Sequence, residues 1–278
     1  MNDVAIPDRQ GLILRVGLYS LLAWLGLVLF AAVLLPLGGI FVASTLSAFA
    51  AAAVANAVVV RIYERGRLAD VGLGWSAFSG REFLTGTAGG VAAAASVVLI
   101  PVALRMANFH PVPVASEHPW ASFAFGGVLL FFGAMGEELL FRGYAFQLLI
   151  RSVGPFATIL PTSVIFGLMH VENPDASALG MINTVAWGIL LGYAVWRTGA
   201  LWLPIGLHFG WNLTLPLLGS NLSGFTMGVT GYTLEWNVGV LWSGGGYGVE
   251  GSLLTTGIVV ALFFALRKLL PQVAMTEC

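Results

Sequence analysis

Eight apolar runs of about twenty residues each constrain this chain more than any other feature. They fall at roughly 12–35, 40–62, 83–104, 122–150, 156–172, 178–196, 200–218 and 252–270. A helix of about 20 mostly apolar residues is what it takes to cross a hydrocarbon core about 30 Å thick. Only 9% of the 278 residues are charged and 58% are hydrophobic, whereas a soluble domain carries about 25% charged residues. A single soluble core could not hide that much apolar surface. The expected fold is therefore all-α: one integral membrane domain over residues 1–278, polytopic, with about eight transmembrane helices.

The basic residues orient these spans, because cytoplasmic flanks are enriched in Lys and Arg. With the N-terminus inside, Arg9, Arg15, Arg61, Arg65, Arg67, Arg81, Arg151, Arg197, Arg267 and Lys268 all fall on the cytoplasmic side, ten of the twelve basic residues. Both termini are then cytoplasmic, and the chain is a multi-pass protein of the cell membrane. Asn2–Arg15 is short and polar, the apolar run after it is too long for a signal-peptide core, and Leu18–Pro36 reads as a retained first span. The turn Pro36-Leu37-Gly38-Gly39 joins it to the second. The inner loop Arg61–Arg81 is charged and expected on the membrane surface. The outer segment 219–251 has no Lys or Arg, is rich in Gly, and carries Tyr232, Trp236, Trp242 and Tyr247, a composition that suits an interfacial flap or a loose loop. His110 and His118 sit among prolines in another outer loop and read as solvated. A net charge of −1 gives no electrostatic case for nucleic acid, and the sole cysteine, Cys278, excludes an intramolecular disulfide and, as the last residue, is not a C-a-a-X site.

Against this apolar background Glu137, Glu138 and Arg142 stand out within Phe123–Ile150. Each ionisable side chain at the bilayer centre costs at least about 2.5 kcal/mol, so they must pair or face a wet cavity. At 100° per residue, Glu138 and Arg142 lie about 40° apart on one face and can form an ion pair, while Glu137 points about 100° from Glu138 and about 140° from Arg142. One carboxylate thus has a local partner and its neighbour has none. His170 closes Phe166-Gly167-Leu168-Met169-His170, and His208 and Asn212 share a face of the seventh span. A Glu as general base with a His to hold the water, and a His with an Asn to donate to an oxyanion, form an inventory for hydrolysis. The bland alternatives are a structural ion pair for Glu138 with Arg142, a second interhelical hydrogen bond for Glu137, and interhelical glue for His208 and Asn212, as for Asn56 and Asn183. Glu and His also ligate zinc, although no H-E-x-x-H is present. A proton-coupled transporter using Glu137 and His208 as relays, or a non-catalytic immunity or scaffold protein, would use the same residues; no internal repeat of the transporter kind is visible.

Together, Glu137-Glu138-Leu139-Leu140-Phe141-Arg142, Phe166-Gly167-Leu168-Met169-His170 and His208-Phe209-Gly210-Trp211-Asn212 form an E-E-x-x-x-R, F-x-x-x-H, H-x-x-x-N series. In order and spacing this resembles the CAAX-protease and bacteriocin-processing (CPBP, or ABI) family of intramembrane proteases, which includes the Ras-converting CAAX endopeptidase. The likeness covers about residues 122–218, the family's catalytic core. It implies helices around a polar intramembrane cavity, with Glu137 and His170 activating water, His208 and Asn212 forming the oxyanion hole, and Glu138, Arg142 and Phe166 shaping the site. Membrane-associated peptides or proteins would be the substrates. The family is described both as metalloproteases and as metal-free glutamate proteases; an amide and an Arg in the set suit oxyanion and carboxylate contacts better than ligation, so no cofactor is required, with a divalent metal such as zinc as the alternative. One difficulty follows from the topology. The fifth span runs outward and would carry His170 to the outer surface, so it must tilt, shift or break, with Pro161 as a candidate hinge, for His170 to meet Glu137 and His208.

Overall fold

The computed structural model describes residues 6–113 and 119–270, which leaves His118 and Cys278 outside the described residues. These residues are mostly helical. Helix α1 (Arg9–Val59) contains one non-helical residue, Gly39, at φ 74° and ψ −178°, three residues after Pro36. That left-handed backbone is open to glycine and strained for other residues, and the chain reverses there. Gly26 lies against Ala51, Asn56 reaches the Tyr19 hydroxyl, and Arg15 pairs with Glu64 at 2.8 Å. The two expected first spans are the arms of this hairpin. Measured by length and apolar composition, four helical segments among the described residues are able to cross a membrane, Arg9–Glu64 (which includes the hairpin), Ser79–Ala103, Trp120–Val153 and Ala178–Thr198. The remaining expected spans are shorter helices.

After α2 (Ser79–Ala103), the expected span 122–150 is divided at Gly143 into α3 (Pro119–Arg142) and α4 (Tyr144–Val153). The second arm of α1 supplies the reason. Asn56 donates to the Leu139 carbonyl at 3.0 Å and accepts from the Tyr144 N–H at 2.7 Å, while the Tyr19 hydroxyl donates to the Leu140 carbonyl at 2.6 Å. Backbone groups at a helix break need partners when buried, and Asn56 serves both sides of this one. Asn183 acts similarly on α6 (Ala178–Thr198), donating to the Glu250 and Ser252 carbonyls at 2.8 and 2.9 Å. Helix α5 (Pro155–Leu168) has 14 residues. Its length of about 21 Å falls short of the hydrocarbon thickness. Pro161 lies within it without interrupting it, so His170 reaches the other site residues without a break at that proline.

Helix α7 (Trp202–Leu217), which carries His208 and Asn212, packs along α2 through facing glycines. A Cβ on Gly86 would meet the backbone of Leu203 and Leu207, one on Gly90 the backbone of Leu207 and Trp211, and one on Gly206 the backbone of Phe83 and Thr87. Small residues four apart let membrane helices approach at backbone contact. Gly86→Val is therefore expected to lower stability by about 3 kcal/mol, the upper end for overpacking. Gly17→Val, where nothing lies within 4 Å of the added carbon, serves as the control. Thermal unfolding in lipid checks this; equal melting temperatures for the two variants would contradict it.

The all-α expectation needs one correction. Beside the helices stands an antiparallel strand pair, β1 (Ala107–Pro111) with β2 (Tyr232–Trp236), in the register Ala107↔Trp236 to Pro111↔Tyr232. Nor is segment 219–251 a loose loop. β2 anchors it, the Leu234 N–H donates to the Gly219 carbonyl at 3.0 Å, and short helix α8 (Val240–Ser243) leads on towards α9 (Leu253–Leu269). The charged loop 61–81 packs on the bundle's opposite end, where Gln147 holds the Val71 carbonyl and the Leu201 N–H holds that of Gly72.

Candidate active site

Glu137 and Glu138 are neighbours on α3 with different surroundings. Glu138 is fully buried, and its Oε1 accepts from Arg142 Nη1 at 3.1 Å and from His208 Nδ1 at 2.9 Å. Arg142, equally buried, also donates through Nη2 to the Gly188 carbonyl at 3.1 Å, which ties α3 to α6. Its guanidinium lies over the Phe166 ring at 4.7 Å, where a planar cation is favoured. The ion pair expected from the i, i+4 spacing is present. The bond from His208 to the same carboxylate, joining α7 to α3, is an addition that spacing within one helix could not reveal.

Glu137 retains 31% of its side-chain exposure, and its Oε2 accepts no hydrogen bond among the described residues. His208 Nε2 stands 3.7 Å from it, beyond a direct hydrogen bond. The ring of His208 thus presents one nitrogen to each carboxylate. His170 lies in the turn beyond α5 and donates from Nδ1 to the Phe166 carbonyl at 2.8 Å, since a carbonyl can only accept. Phe166 stands between these groups, with its ring centroid 5.1 Å from that of Phe141, 4.9 Å from His170 and 6.3 Å from His208.

Glu137, Phe166, His170, His208 and Asn212 all line one cavity of about 530 Å³. Glu138 and Arg142 form the buried layer behind it. The structure therefore brings together the residues singled out in three separate spans. It also adds one that sequence reasoning missed. Glu250, in the outer segment, lines the same cavity; its Oε1 accepts from the Trp211 indole at 2.9 Å and its Oε2 from the Ser223 backbone and from the Ser223 hydroxyl at 3.0 Å. Burial pushes the Glu250 carboxyl above the ordinary carboxylate range, and the bonds from Trp211 and Ser223 act against that rise. Because Trp211 precedes Asn212, Glu250 fastens segment 219–251 to α7 beside the site. The only sequence signal was its position as one of two acidic residues in 219–251.

A metal centre does not fit this arrangement. Among the described residues no three His, Cys, Asp or Glu are grouped so as to hold an ion, whereas catalytic zinc takes three protein ligands. His208 Nδ1 is already committed to Glu138.

Residues 119–214, roughly a third of the chain, match the family model described as Rce1-like, type II CAAX prenyl endopeptidase. All three motifs lie within that segment. No curated protein and no solved structure matches the chain.

Proposed function

We propose that this protein, whose residues 119–214 match the family model described as Rce1-like, type II CAAX prenyl endopeptidase, is an intramembrane endopeptidase that hydrolyses membrane-associated peptides or proteins with a water activated by Glu137. One observation carries the reading: a carboxylate whose Oε2 accepts no hydrogen bond among the described residues shares a cavity with two imidazoles and an amide supplied by two other elements. Glu137 takes a proton from water as its oxygen attacks the scissile carbonyl carbon. His170, with Nδ1 engaged by the Phe166 carbonyl, turns its Nε2 lone pair to the same water. His208 Nε2 and the Asn212 amide donate to the oxyanion that forms. The C–N bond then breaks, and the proton held by Glu137 passes to the departing amine.

The charges balance in this scheme. Donation from both ring nitrogens of His208 makes it a cation, so Glu137 and Glu138 face Arg142 and His208 with no net charge, the least costly state for an ionic group in apolar surroundings. Glu138, Arg142 and Phe166 are positioning residues, and no step is routed through a metal. In the membrane the chain is proposed to cross eight times, with the α1 arms as two of the crossings and both termini on the cytoplasmic side, as the basic flanks indicate. The whole forms one domain with its catalytic core at about 122–218.

The test is cleavage of a quenched peptide library by purified protein in lipid. Asn212→Ala is expected to lower kcat about 10²–10³-fold, as loss of one oxyanion donor does, and a strong chelator is expected to leave the rate unchanged. Cleavage lost to the chelator and restored by Zn²⁺ would overturn the metal-free scheme. A proton-coupled solute flux that needs Glu137, in protein that cleaves no peptide, would return the site to a transporter.

A further inference from the structure

The cavity is placed asymmetrically along the bundle. Leu27, Ile40 and Thr45 line it from the arms of α1 on the side of the Gly39 reversal, and Leu222, Met227 and Glu250 line it from the outer segment. Ile40, Met169 and Glu172 line it and are also exposed, which marks its mouth. The other end is closed. There Arg15 and the Tyr144 hydroxyl both bind Glu64, Gln147 binds the inner loop, and the buried Glu138–Arg142 pair lies between these contacts and the cavity. That closed end carries Arg15, Arg65, Arg67, Arg81, Arg151 and Arg197. Cytoplasmic flanks collect Lys and Arg, so the cavity opens away from the cytoplasm.

Apart from His208, whose charge is matched by Glu137 and Glu138, the lining is also one-sided in charge. Glu137, Glu172 and Glu250 contribute carboxyl groups, and among the described residues no Lys or Arg lines the cavity. A peptide whose scissile bond lies a few residues from its C-terminus would carry its own carboxylate towards these groups, with no guanidinium or ammonium to receive it. An internal segment brings no such charge.

We propose that the site takes an internal, non-acidic peptide segment that reaches it from the non-cytoplasmic face of the membrane. The choice of segment rests on the endopeptidase reading; the side of access does not, and the two are tested apart. For the side, single-cysteine variants Glu172→Cys and Arg67→Cys, both in a Cys278→Ser background, are treated with a membrane-impermeant maleimide in intact spheroplasts and after lysis. The expected result is labelling of Glu172→Cys in intact spheroplasts and of Arg67→Cys only after lysis. The reverse pattern, or labelling of both in intact spheroplasts, would overturn the assignment of the open face. For the segment, purified protein in lipid is given two peptides with the same scissile sequence, placed mid-chain or three residues from a free C-terminus. The mid-chain bond should be cut at least tenfold faster, and amidating the C-terminus of the slow peptide should recover most of the difference. Equal rates, or no effect of amidation, would refute the charge selection. Labelling as expected with neither peptide cut would count against the endopeptidase reading and leave the open face standing.

Discussion

Glu137→Gln is expected to lower peptide cleavage by about 10²–10⁴-fold, the range that a positioned general base contributes, with little change in melting temperature. The rate loss corresponds to about 3–5 kcal/mol of barrier. The stability change should be small beside the rate loss, because Glu137 accepts no hydrogen bond at Oε2 among the described residues, keeps 31% of its side chain exposed and stands 3.7 Å from His208 Nε2. The amide has nearly the same shape and cannot take a proton from water. Circular dichroism and thermal melts of the same preparation separate lost chemistry from lost fold.

Arg142→Met should do the opposite and act first on the fold. Removing the guanidinium leaves Glu138, fully buried, with His208 as its one remaining partner among the described residues, and leaves the Gly188 carbonyl without its donor. Breaking a buried pair from one side costs about 3–5 kcal/mol, because the remaining charge is uncompensated. The double variant Glu138→Gln/Arg142→Met, which removes both charges, is expected to recover part of that loss. The cycle is read from melting temperatures in lipid. A single variant as stable as wild type, or a double variant less stable than the sum of the two single changes, would show that the pair does not hold α3 to its neighbours.

What could be read from the sequence was what depends on local periodicity. The division of Glu137 from Glu138 follows from 100° per residue, and the reversal at Gly39 follows from a proline and two glycines between apolar runs. Features made by distant partners stayed hidden. The break at Gly143 exists because Asn56, from another helix, serves the Leu139 carbonyl and the Tyr144 N–H. An apolar count over 122–150 sees only continuity there. The strand pair joins Ala107 to Trp236 across the whole of the family-matched segment 119–214, and neither strand has enough residues for alternation to stand out. Glu250 looked like part of a flexible loop until its bonds to Trp211 and Ser223 placed it in the cavity wall. The facing glycines of α2 and α7 were visible as letters, but only their pairing shows that they fix the helix carrying His208 and Asn212.

Glu137 and Glu138, adjacent carboxylates, are proposed to do different work, the first chemistry and the second structure. One experiment on Glu137→Gln and Glu138→Gln decides this, with peptide cleavage and thermal unfolding recorded on the same purified samples in lipid. The Glu137→Gln protein is expected to melt close to wild type and to cleave at most about a hundredth as fast, and the Glu138→Gln protein to lose stability through its unpaired Arg142. A Glu137→Gln protein that cleaves at close to the wild-type rate would refute this division of roles.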